Sequence, residues 1–452
     1  MNQIETSKVK SHHRGVESAR FSDVLAFAST ISAVSIGIYL IHGALKNLSK
    51  FPYGSAQSLA QLFGILATLS ALYGIVLAAR PRYIEHSVGL DVMLVWHRVL
   101  GEACAIFLLI HIALEYYTRS RFGGLVEAFK ALTGRDGYMA LATVGALGFF
   151  IVTISSLKAI RRRLSYESWY FIHLLIYGST LMGFWHQIYL GNDFFGDKTA
   201  KYFWIGIHLF TLLVLLQSRF FNLFRAWVKP LRVRSVDEMA HDTLVITLEG
   251  GRLKKMKAES GQFALLRFLT KDLWFESHPF SLSAAPKKEA LRFTIKMKGD
   301  GTRLLRSLRR GSRVVLEGPY GAIVKSQIKK EPTVLIAGGV GIAPIRALLE
   351  DFTPSNQPYL LFRVKSKEDI IHLDELRELC TRNNGKMFIV EGATAKLPSN
   401  PFSAENLKSN IPNIELRQAI LCGPESMIVA GVKGLMKAGV PYESIHYERS
   451  WW

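Results

Sequence analysis

The sequence predicts a multi-domain membrane protein with three parts: a six-helix transmembrane bundle, an antiparallel β-barrel and an α/β nucleotide-binding domain. Three observations support this fold class. Long apolar runs fill the first half of the chain, short β-type segments follow them, and strands then alternate with helices. With 452 residues, of which 49% are hydrophobic, the chain is also too long for a single domain.

Each of six apolar runs is long enough to cross the hydrocarbon core of a bilayer, which is about 30 Å thick, as a helix. They are residues 24–41, 59–79, 92–114, 138–157, 169–190 and about 202–216. No comparable run follows Arg219, so the boundary to the second half falls near residues 221–229. Residues 1–20 are polar and contain no recognisable cleaved signal, so we expect a multi-pass membrane protein.

The formal net charge of +20 is explained better by a lipid bilayer than by nucleic acid. No basic low-complexity arm or nucleic-acid motif accompanies the charge, so no nucleic-acid partner is predicted. The basic residues between the apolar runs favour one orientation only weakly. The three cysteines have neither a disulfide framework nor metal-ligand spacing, so iron–sulfur and zinc sites are not predicted.

Four histidines lie inside two of the apolar runs at matched spacings: His97 and His111 are 14 residues apart, and His173 and His186 are 13 apart. An imidazole within a membrane is costly and therefore indicates function. At about 1.5 Å per residue, the two histidines of each pair lie roughly 20 Å apart along the helix, so one of them lies near each membrane face. The quartet predicts two stacked six-coordinate haems; the alternative is buried histidines satisfied by neighbouring carbonyls.

The second histidine pair raises a geometric problem. At 100° per residue, a spacing of 14 returns to within about 40° of the starting azimuth, whereas a spacing of 13 misses it by about 140°. Either the helix carrying His173 and His186 changes its winding around residues 178–183, or the two haems approach it from different azimuths.

The segment after the boundary predicts an antiparallel barrel, with strands at 230–236, 243–248, 261–268 and 291–297. Its His-Pro-Phe-Ser-Leu-Ser motif offers an aromatic face and a hydroxyl to a flavin ring and an imidazole to a phosphate, although an ordinary strand end would look similar. A Gly-Thr pair further on opens a helix whose N–H groups suit a pyrophosphate, and a Glu-Gly-Pro-Tyr-Gly segment is predicted to be a turn that closes the barrel. The candidate FAD contacts are His278, Pro279, Phe280, Ser281, Ser283, Gly301 and Thr302.

A buried strand at 333–336 leads into a glycine turn and a helix up to Glu350, an order typical of a dinucleotide site. A turn needed only for packing would look the same. A second strand, 359–363, ends in basic residues that favour a 2′-phosphate and hence NADPH, with NADH or a solvated basic loop as alternatives. A later strand, 419–421, runs into Cys-Gly-Pro beside the expected nicotinamide. The candidate nucleotide contacts are Gly338, Gly339, Gly341, Pro344, Arg363, Gly423 and Pro424, and Cys422 is a candidate catalytic residue.

Over about residues 22–452 the chain resembles the ferric reductase and NADPH oxidase superfamily, in its bacterial type. The histidine spacings, His-Pro-Phe-Ser, Gly-Pro-Tyr-Gly, the glycine turn and Cys-Gly-Pro occur in family order. The resemblance implies two b-type haems, FAD in a ferredoxin-reductase-like barrel and NADPH as the electron donor. It also implies that His97 and His173 hold the inner haem, and His111 and His186 the outer one.

By the same resemblance, Trp451 or Trp452 covers the flavin as a candidate catalytic residue, unless both merely pack at the carboxyl terminus. Glu115 lies one turn after His111, where animal oxidases carry a histidine, so their oxygen site does not transfer directly and a carboxylate there favours metal cations. The expected domains are a cytosolic tail, the bis-haem bundle, the FAD barrel and the NADPH domain, at residues 1–21, 22–222, 229–325 and 331–452.

The expected function is electron transfer from cytosolic NADPH through FAD and the haems to an acceptor outside, with oxygen, giving superoxide, preferred. An iron with two axial histidines has no open position, so we expect the acceptor to be reduced at the haem edge. A ferric chelate and an extracytoplasmic partner protein are therefore the alternatives to oxygen. We expect the chain in a plasma membrane or bacterial inner membrane, with its FAD and NADPH domains in the cytosol.

Overall fold

The structure, a computed structural model, describes eight stretches of the chain and shows two compact units. The described residues are 16–41, 53–133, 137–191, 197–240, 242–274, 276–321, 323–392 and 400–449. A helical unit spans 15–88 and 92–219, and a second unit is built mainly from 220–452. The change from one to the other falls within a π-helical turn, Leu216–Phe221.

Six long helices make up most of the helical unit. They are α1 (Val16–Tyr39), α2 (Tyr53–Ala79), α3 (Leu90–Thr133), α4 (Gly137–Ser156), α5 (Tyr166–Leu190) and α6 (Lys198–Leu215). Shorter helices, Arg82–Val88 and Lys158–Arg161, lie between them. At Gly124 (φ 78°) the backbone leaves helical geometry, so α3 is kinked there.

Five helical segments in the described part of the chain are long and apolar enough to cross a membrane. They are Ser22–Tyr39, Ala56–Ala79, Val92–Arg121, Gly137–Ser156 and Lys198–Val228. The long helix outside this set is α5, which is continuous over 25 residues but rich in Tyr, Trp, His and Gln. The prediction of six spanning helices is therefore supported for five of them.

Helix α5 is held on two sides, by α4 through small residues and by α2 and α6 through polar ones. A Cβ added at Gly145 would lie 3.0 Å from the Ser179 carbonyl oxygen, so the α4 and α5 backbones approach closely, as helices in membranes often do. Trp204 donates a hydrogen bond to Gln187 (2.7 Å), which donates to Thr68 (2.6 Å). The Gln187 side chain of α5 thus has partners on both α2 and α6.

The second unit begins with helix α7 (Asn222–Val228), followed by a six-stranded antiparallel sheet in the order β4-β3-β6-β1-β2-β5. The strands are β1 (Leu231–Ala240), β2 (Thr243–Glu249), β3 (Phe263–Phe268), β4 (His278–Ser281), β5 (Ala290–Lys296) and β6 (Arg313–Tyr320). Leu282 and Phe293 form an isolated bridge that brings the two edges of this sheet together. Alternate residues of β2, including Leu244 and Ile246, fill the core.

The Glu-Gly-Pro-Tyr-Gly segment ends strand β6, so the prediction of a turn was wrong. Phe263 lies opposite Tyr320, and Leu265 lies opposite Glu317. The register shifts between these pairs, where Pro319 lies, and proline is tolerated inside sheets at such irregularities because it cannot donate a ladder hydrogen bond.

The rest of the second unit is a parallel five-stranded sheet with helices, in the order β11-β10-β7-β8-β9. Its strands are β7 (Thr333–Gly338), β8 (Tyr359–Val364), β9 (Lys386–Glu391), β10 (Gln418–Gly423) and β11 (Ile445–Arg449). The helices of the unit after α7 are α8 (Asp300–Arg303, before β6), α9 (Ile342–Asp351), α10 (Leu373–Arg382), α11 (Ala404–Asn410) and α12 (Glu425–Lys437). The strand order reverses between β7 and β10, and ligands of such sheets bind at the carboxyl ends of the strands beside this point.

Candidate functional site

Each histidine of α3 is anchored to α2 through one ring nitrogen. Nδ1 of His97 donates to the Gly74 carbonyl (3.0 Å), and Nδ1 of His111 donates to the Ala60 carbonyl (2.7 Å). Metal-ligating histidines usually donate their second N–H in this way, which fixes the tautomer and the orientation of the ring. Nε2 of each ring is thereby left to face a metal.

The anchors on α2 were missed by the sequence analysis. Ala60 and Gly74 are 14 residues apart, as are His97 and His111, and the two helices run in opposite directions. A Cβ added at Gly64 would lie 3.1 Å from Nδ1 of His111, so a small residue is also needed there. The sequence signal that could have revealed these anchors is the pair of small residues, Ala60 and Gly74, at the same spacing as the two histidines.

The histidines of α5 face those of α3. The ring centroids of His173 and His97 are 5.9 Å apart, and His186 lies within electrostatic range of His111. Two imidazoles on opposite sides of one metal ion, each with a bond of about 2.0 Å, have centroids roughly 6 Å apart. The distance between His97 and His173 therefore fits a bis-histidine haem iron. His111 and His186 offer the same two imidazole donors.

The two α5 histidines have different surroundings. Nδ1 of His173 lies 3.4 Å from the Ser156 hydroxyl, which also accepts a hydrogen bond from Trp169 (3.2 Å). The Trp169 ring lies 4.9 Å from the His173 ring and carries the Arg161 guanidinium 4.7 Å from its centre. Among the described residues, Nδ1 of His186 has no hydrogen-bond partner. Because such contacts tune a bound metal, the two levels offer an iron different environments.

Helix α5 is α-helical throughout, so the expected change of winding around residues 178–183 is not found. On a regular helix, side chains 13 residues apart differ by about 140° in azimuth. The second alternative, in which the two haems approach α5 from different azimuths, therefore stays a prediction.

Two other polar residues of the bundle are engaged locally. His208 donates from Nδ1 to the Trp204 carbonyl of its own helix (2.9 Å). Glu115 forms an ion pair with Arg119 (3.2 Å), and its side chain is 16% exposed. This pairing neutralises the carboxylate and weakens the expectation that it attracts metal cations.

The predicted flavin motif forms strand β4 and the bend after it. His278, Pro279, Phe280 and Ser281 are all half-buried, so the strand has an accessible face. Nε2 of His278 is bonded to the Glu276 carboxylate (2.6 Å). A phosphate contact of this imidazole therefore needs Nδ1 or a movement of the carboxylate.

Gly301 and Thr302 lie in the four-residue helix α8, which is shorter than expected. The Thr302 hydroxyl accepts hydrogen bonds from the backbone N–H groups of Lys298 (3.0 Å) and Gly299 (3.1 Å). A Cβ added at Gly301 would collide with the Glu276 carboxylate. The predicted pyrophosphate position is thus partly filled by the protein's own groups.

The glycine turn after β7 packs against the turn after β10. A Cβ added at Gly341 would lie 2.8 Å from Cα of Gly423, and one added at Gly338 would lie 2.9 Å from Cδ of Pro424. Gly339 has φ +54°, a conformation that glycine adopts without strain. These glycines serve the packing of the two turns at the strand-order reversal, where a nucleotide would also bind.

The remaining predicted nucleotide residues lie around the same sheet edge. Cys422, 5% exposed, ends β10, and Pro344 is buried in the first turn of α9. Arg363, near the end of β8, donates a hydrogen bond to the Gly392 carbonyl (2.9 Å), so its contact with a 2′-phosphate stays a prediction. Trp451 and Trp452 lie outside the described residues.

A group of charged side chains around Ser283 was also missed. Ser283, a predicted FAD contact, is fully buried, and its carbonyl accepts hydrogen bonds from Arg292 and Arg346. In the sequence, Arg346 and Glu350 have the spacing of an ordinary surface ion pair on a helix, which carries no signal of a contact with a distant strand.

Three family models match successive parts of the chain. Residues 63–184 match "Ferric reductase like transmembrane component", residues 229–324 match "FAD-binding domain" and residues 335–433 match "Oxidoreductase NAD-binding domain". Domains for FAD and for a nicotinamide nucleotide are therefore present, and the first match implies haem.

Known relatives share these parts at low identity. The probable ferric reductase transmembrane component of Candida albicans is 26% identical over 296 residues, 64% of this chain and 41% of its own. The respiratory burst oxidase homolog protein D of Arabidopsis thaliana is 27% identical over 208 residues, covering 40% and 22%. The toluate 1,2-dioxygenase electron transfer component of Pseudomonas putida is 24% identical over 225 residues, covering 48% and 66%. The chain thus spans less than two thirds of the length of each of these relatives.

Proposed function

We propose, because the chain belongs to the ferric reductase and NADPH oxidase superfamily, that this oxidoreductase carries electrons from NADPH across a membrane to oxygen, giving superoxide. The observation that carries the proposal is the set of paired histidines. Two rings on α3, each fixed by a carbonyl of α2, face two rings on α5.

In the proposed organisation, residues 1–21 are a cytosolic tail and 22–222 form a six-span bundle in which α5 is the sixth spanning helix. The polar partners of α5 support this, because a polar side chain inside a bilayer needs a partner within the protein. Residues 229–325 form an FAD-binding barrel, supported by the bridge between its edges, and residues 331–452 bind NADPH.

When bound, FAD takes up hydride from NADPH and releases electrons singly, and haems carry single electrons. In our proposal His97 and His173 hold one haem, and His111 and His186 hold a second roughly 20 Å away along the helices. The α2 carbonyls keep Nε2 of both α3 rings aimed at the metal. Cys422 lies beside the nicotinamide, at the end of β10.

Oxygen is the acceptor that we favour. With two histidines holding each haem iron, no position would be left open for a ligand, and the acceptor would be reduced without binding to the metal. The pairing of Glu115 with Arg119 removes the free carboxylate that would favour a metal cation. A ferric chelate is the alternative, in keeping with the name of the Candida albicans relative; a dedicated extracytoplasmic protein is a third. Because NADPH is cytosolic, we assign the second unit to the cytosol and the chain to a plasma or bacterial inner membrane.

The test is NADPH oxidation by the full chain, purified in detergent with FAD and haem. It is measured in air with a superoxide-sensitive dye, and without oxygen in the presence of ferric citrate. Dye reduction in air that superoxide dismutase abolishes would support the oxidase. Turnover that requires ferric citrate would support a metal reductase instead, and turnover only with an added partner protein would contradict both.

A further inference from the structure

Four charged side chains form a cluster between the antiparallel sheet and the helices of the parallel sheet. They are Arg292 on β5, Arg346 and Glu350 on α9, and Glu375 on α10, hereafter the arginine clamp. Arg346 is only 6% exposed. With two positive and two negative groups the cluster is balanced, and the loss of Arg346 would take the ion-pair partner from Glu350 and one of two partners from Glu375.

The clamp holds the backbone directly after the flavin motif. The Ser283 carbonyl accepts hydrogen bonds from Arg346 (2.7 Å) and Arg292 (3.0 Å), and Glu350 accepts one from the Ala285 N–H (2.8 Å). Arg346 and Glu350 lie one turn apart on α9 and bond to each other (2.5 Å). Two side chains on one face of α9 therefore bind two backbone groups at the end of the flavin motif, the Ser283 carbonyl and the Ala285 N–H.

Glu375 closes the clamp. It accepts hydrogen bonds from Nε of Arg346 (2.5 Å) and from Arg292 (3.0 Å), and it also pairs with Nη2 of Arg346. His372, whose side chain is fully buried, lies 3.4 Å from Glu375 and accepts a hydrogen bond from Thr294 on β5 (2.9 Å). Hydrogen bonds from His372 and the arginines hold the pKa of Glu375 well below its usual range, so the carboxylate stays charged.

The arginine clamp lies between the predicted nucleotide-binding turn and the predicted flavin strand. Helix α9 begins at Ile342, directly after the glycine turn expected to receive the nucleotide, and strand β4 ends at Ser281, two residues before Ser283. The clamp thus connects the start of the nucleotide site to the end of the flavin strand through side chains of a single helix turn.

We propose that Arg346 is a positioning residue for hydride transfer: through the clamp it fixes the nucleotide-binding turn relative to the strand that contacts the flavin. This inference rests on the proposed function, because it assumes that NADPH and FAD bind at these two places. A planar guanidinium presents five donors in a rigid fork, which suits Ser283, Glu350 and Glu375 together better than the compact ammonium of lysine does. A misplacement of about 1 Å can cost about 100-fold in rate.

The experiment compares Arg346→Met, Arg346→Lys and wild type in the full chain, with ferricyanide taking electrons from the flavin. For Arg346→Met we expect kcat to fall at least about tenfold while KM for NADPH changes by less than about twofold. The kinetic isotope effect with NADPH deuterated at the transferred position should rise, because hydride transfer becomes rate-limiting. Arg346→Lys should recover part of the rate.

The control is Lys325→Met, which removes a neighbouring ion pair with Asp351 on the same helix (3.0 Å) and should leave kcat and the isotope effect unchanged. If wild type does not oxidise NADPH with ferricyanide, the proposed function itself fails. If wild type does so and Arg346→Met keeps its rate and isotope effect, the positioning role is overturned. If Arg346→Met does not fold with FAD, Glu350→Gln is measured instead. The inference then requires a smaller change in kcat and in the isotope effect, and wild-type values of both would overturn it.

Discussion

The helical unit and the strand-built unit hold their candidate ligand groups in different ways. In the helical unit, a functional group is a single side chain on a long helix, oriented by one backbone acceptor, as His97 is by Gly74. In the strand-built unit, the predicted nucleotide site lies at two turns packed against each other, as Gly341 is against Gly423. A site of the first kind can lose a ligand and keep its fold, whereas a site of the second kind cannot change without disturbing a core.

The largest effect is expected for His111→Leu, which tests the first half of this comparison. Bound haem should fall by about half, and electron transfer to the far-side acceptor by at least about 100-fold, since a lost ligand costs more than the 10–100-fold typical of its outer partners. Turnover with ferricyanide should persist. Haem content is measured by the pyridine haemochrome assay, and His208→Leu is the matched control. Equal haem loss in both variants would contradict the assignment.

The second half of the comparison is tested by Gly341→Ala. The added Cβ would lie 2.6 Å from the Cys422 carbonyl carbon, so the two turns must separate. We expect a loss of about 1–3 kcal/mol in the free energy of unfolding and a raised KM for NADPH, measured by the release of flavin fluorescence on heating and by kinetics. Gly251→Ala, where the new Cβ meets nothing within 4 Å, should stay within about 0.5 kcal/mol of wild type.

The same difference decided what the sequence could predict. The spacing of His97 and His111 was visible because a haem site specifies the side chain itself, and the strands around the flavin motif were visible from their alternation. The acceptors on α2 were missed, since any residue can supply a carbonyl and the only signal was indirect, two small residues at the ligand spacing. The clamp was missed because Arg346 and Glu350 have the spacing of a surface ion pair.

One error has a physical cause in tertiary context. Pro319 normally excludes a strand, but a register shift in the sheet accommodates it, so a predicted turn is part of β6. This compensation leaves no trace in the local sequence.

The pH dependence of stability tests the buried His372 of the strand-built unit. Burial lowers the pKa of His372, which faces Glu375, Arg292 and Arg346. Below its ordinary pKa of about 6.5 the unfolded chain binds a proton that the folded chain does not, so stability should fall as the pH drops from 7 to 5.5, with a slope of up to about 1.4 kcal/mol per pH unit. The lowered pKa of Glu375 acts only below its ordinary value of about 4.3 and stays outside this window.

His372→Gln should flatten this slope while its amide keeps a hydrogen bond to Thr294. The measurement is the unfolding temperature of the second unit, followed by flavin fluorescence from pH 7 to 5.5. Parallel curves for the variant and wild type would show that another group titrates.

The smallest effect is expected for Gly64→Ala in the helical unit. The new Cβ would lie 3.1 Å from Nδ1 of His111, so the ring must shift by a few tenths of an ångström. Haem content should be unchanged, and the midpoint potential of one haem should move on the order of tens of millivolts, 59 mV corresponding to a tenfold change in relative affinity. Gly101→Ala, whose Cβ meets nothing within 4 Å, is the control; an equal shift there would remove the role assigned to Gly64.

The equal intervals on α2 and α3 have a consequence for variation in chain length. Because Ala60 and Gly74 meet His111 and His97 in the opposite chain direction, one residue inserted in either interval would rotate everything beyond it by about 100° and advance it by about 1.5 Å. One anchored histidine would then lose its acceptor while the other kept its own. Any graft or redesign of this bundle must therefore keep both intervals at the same number of residues and keep a small residue at Gly64.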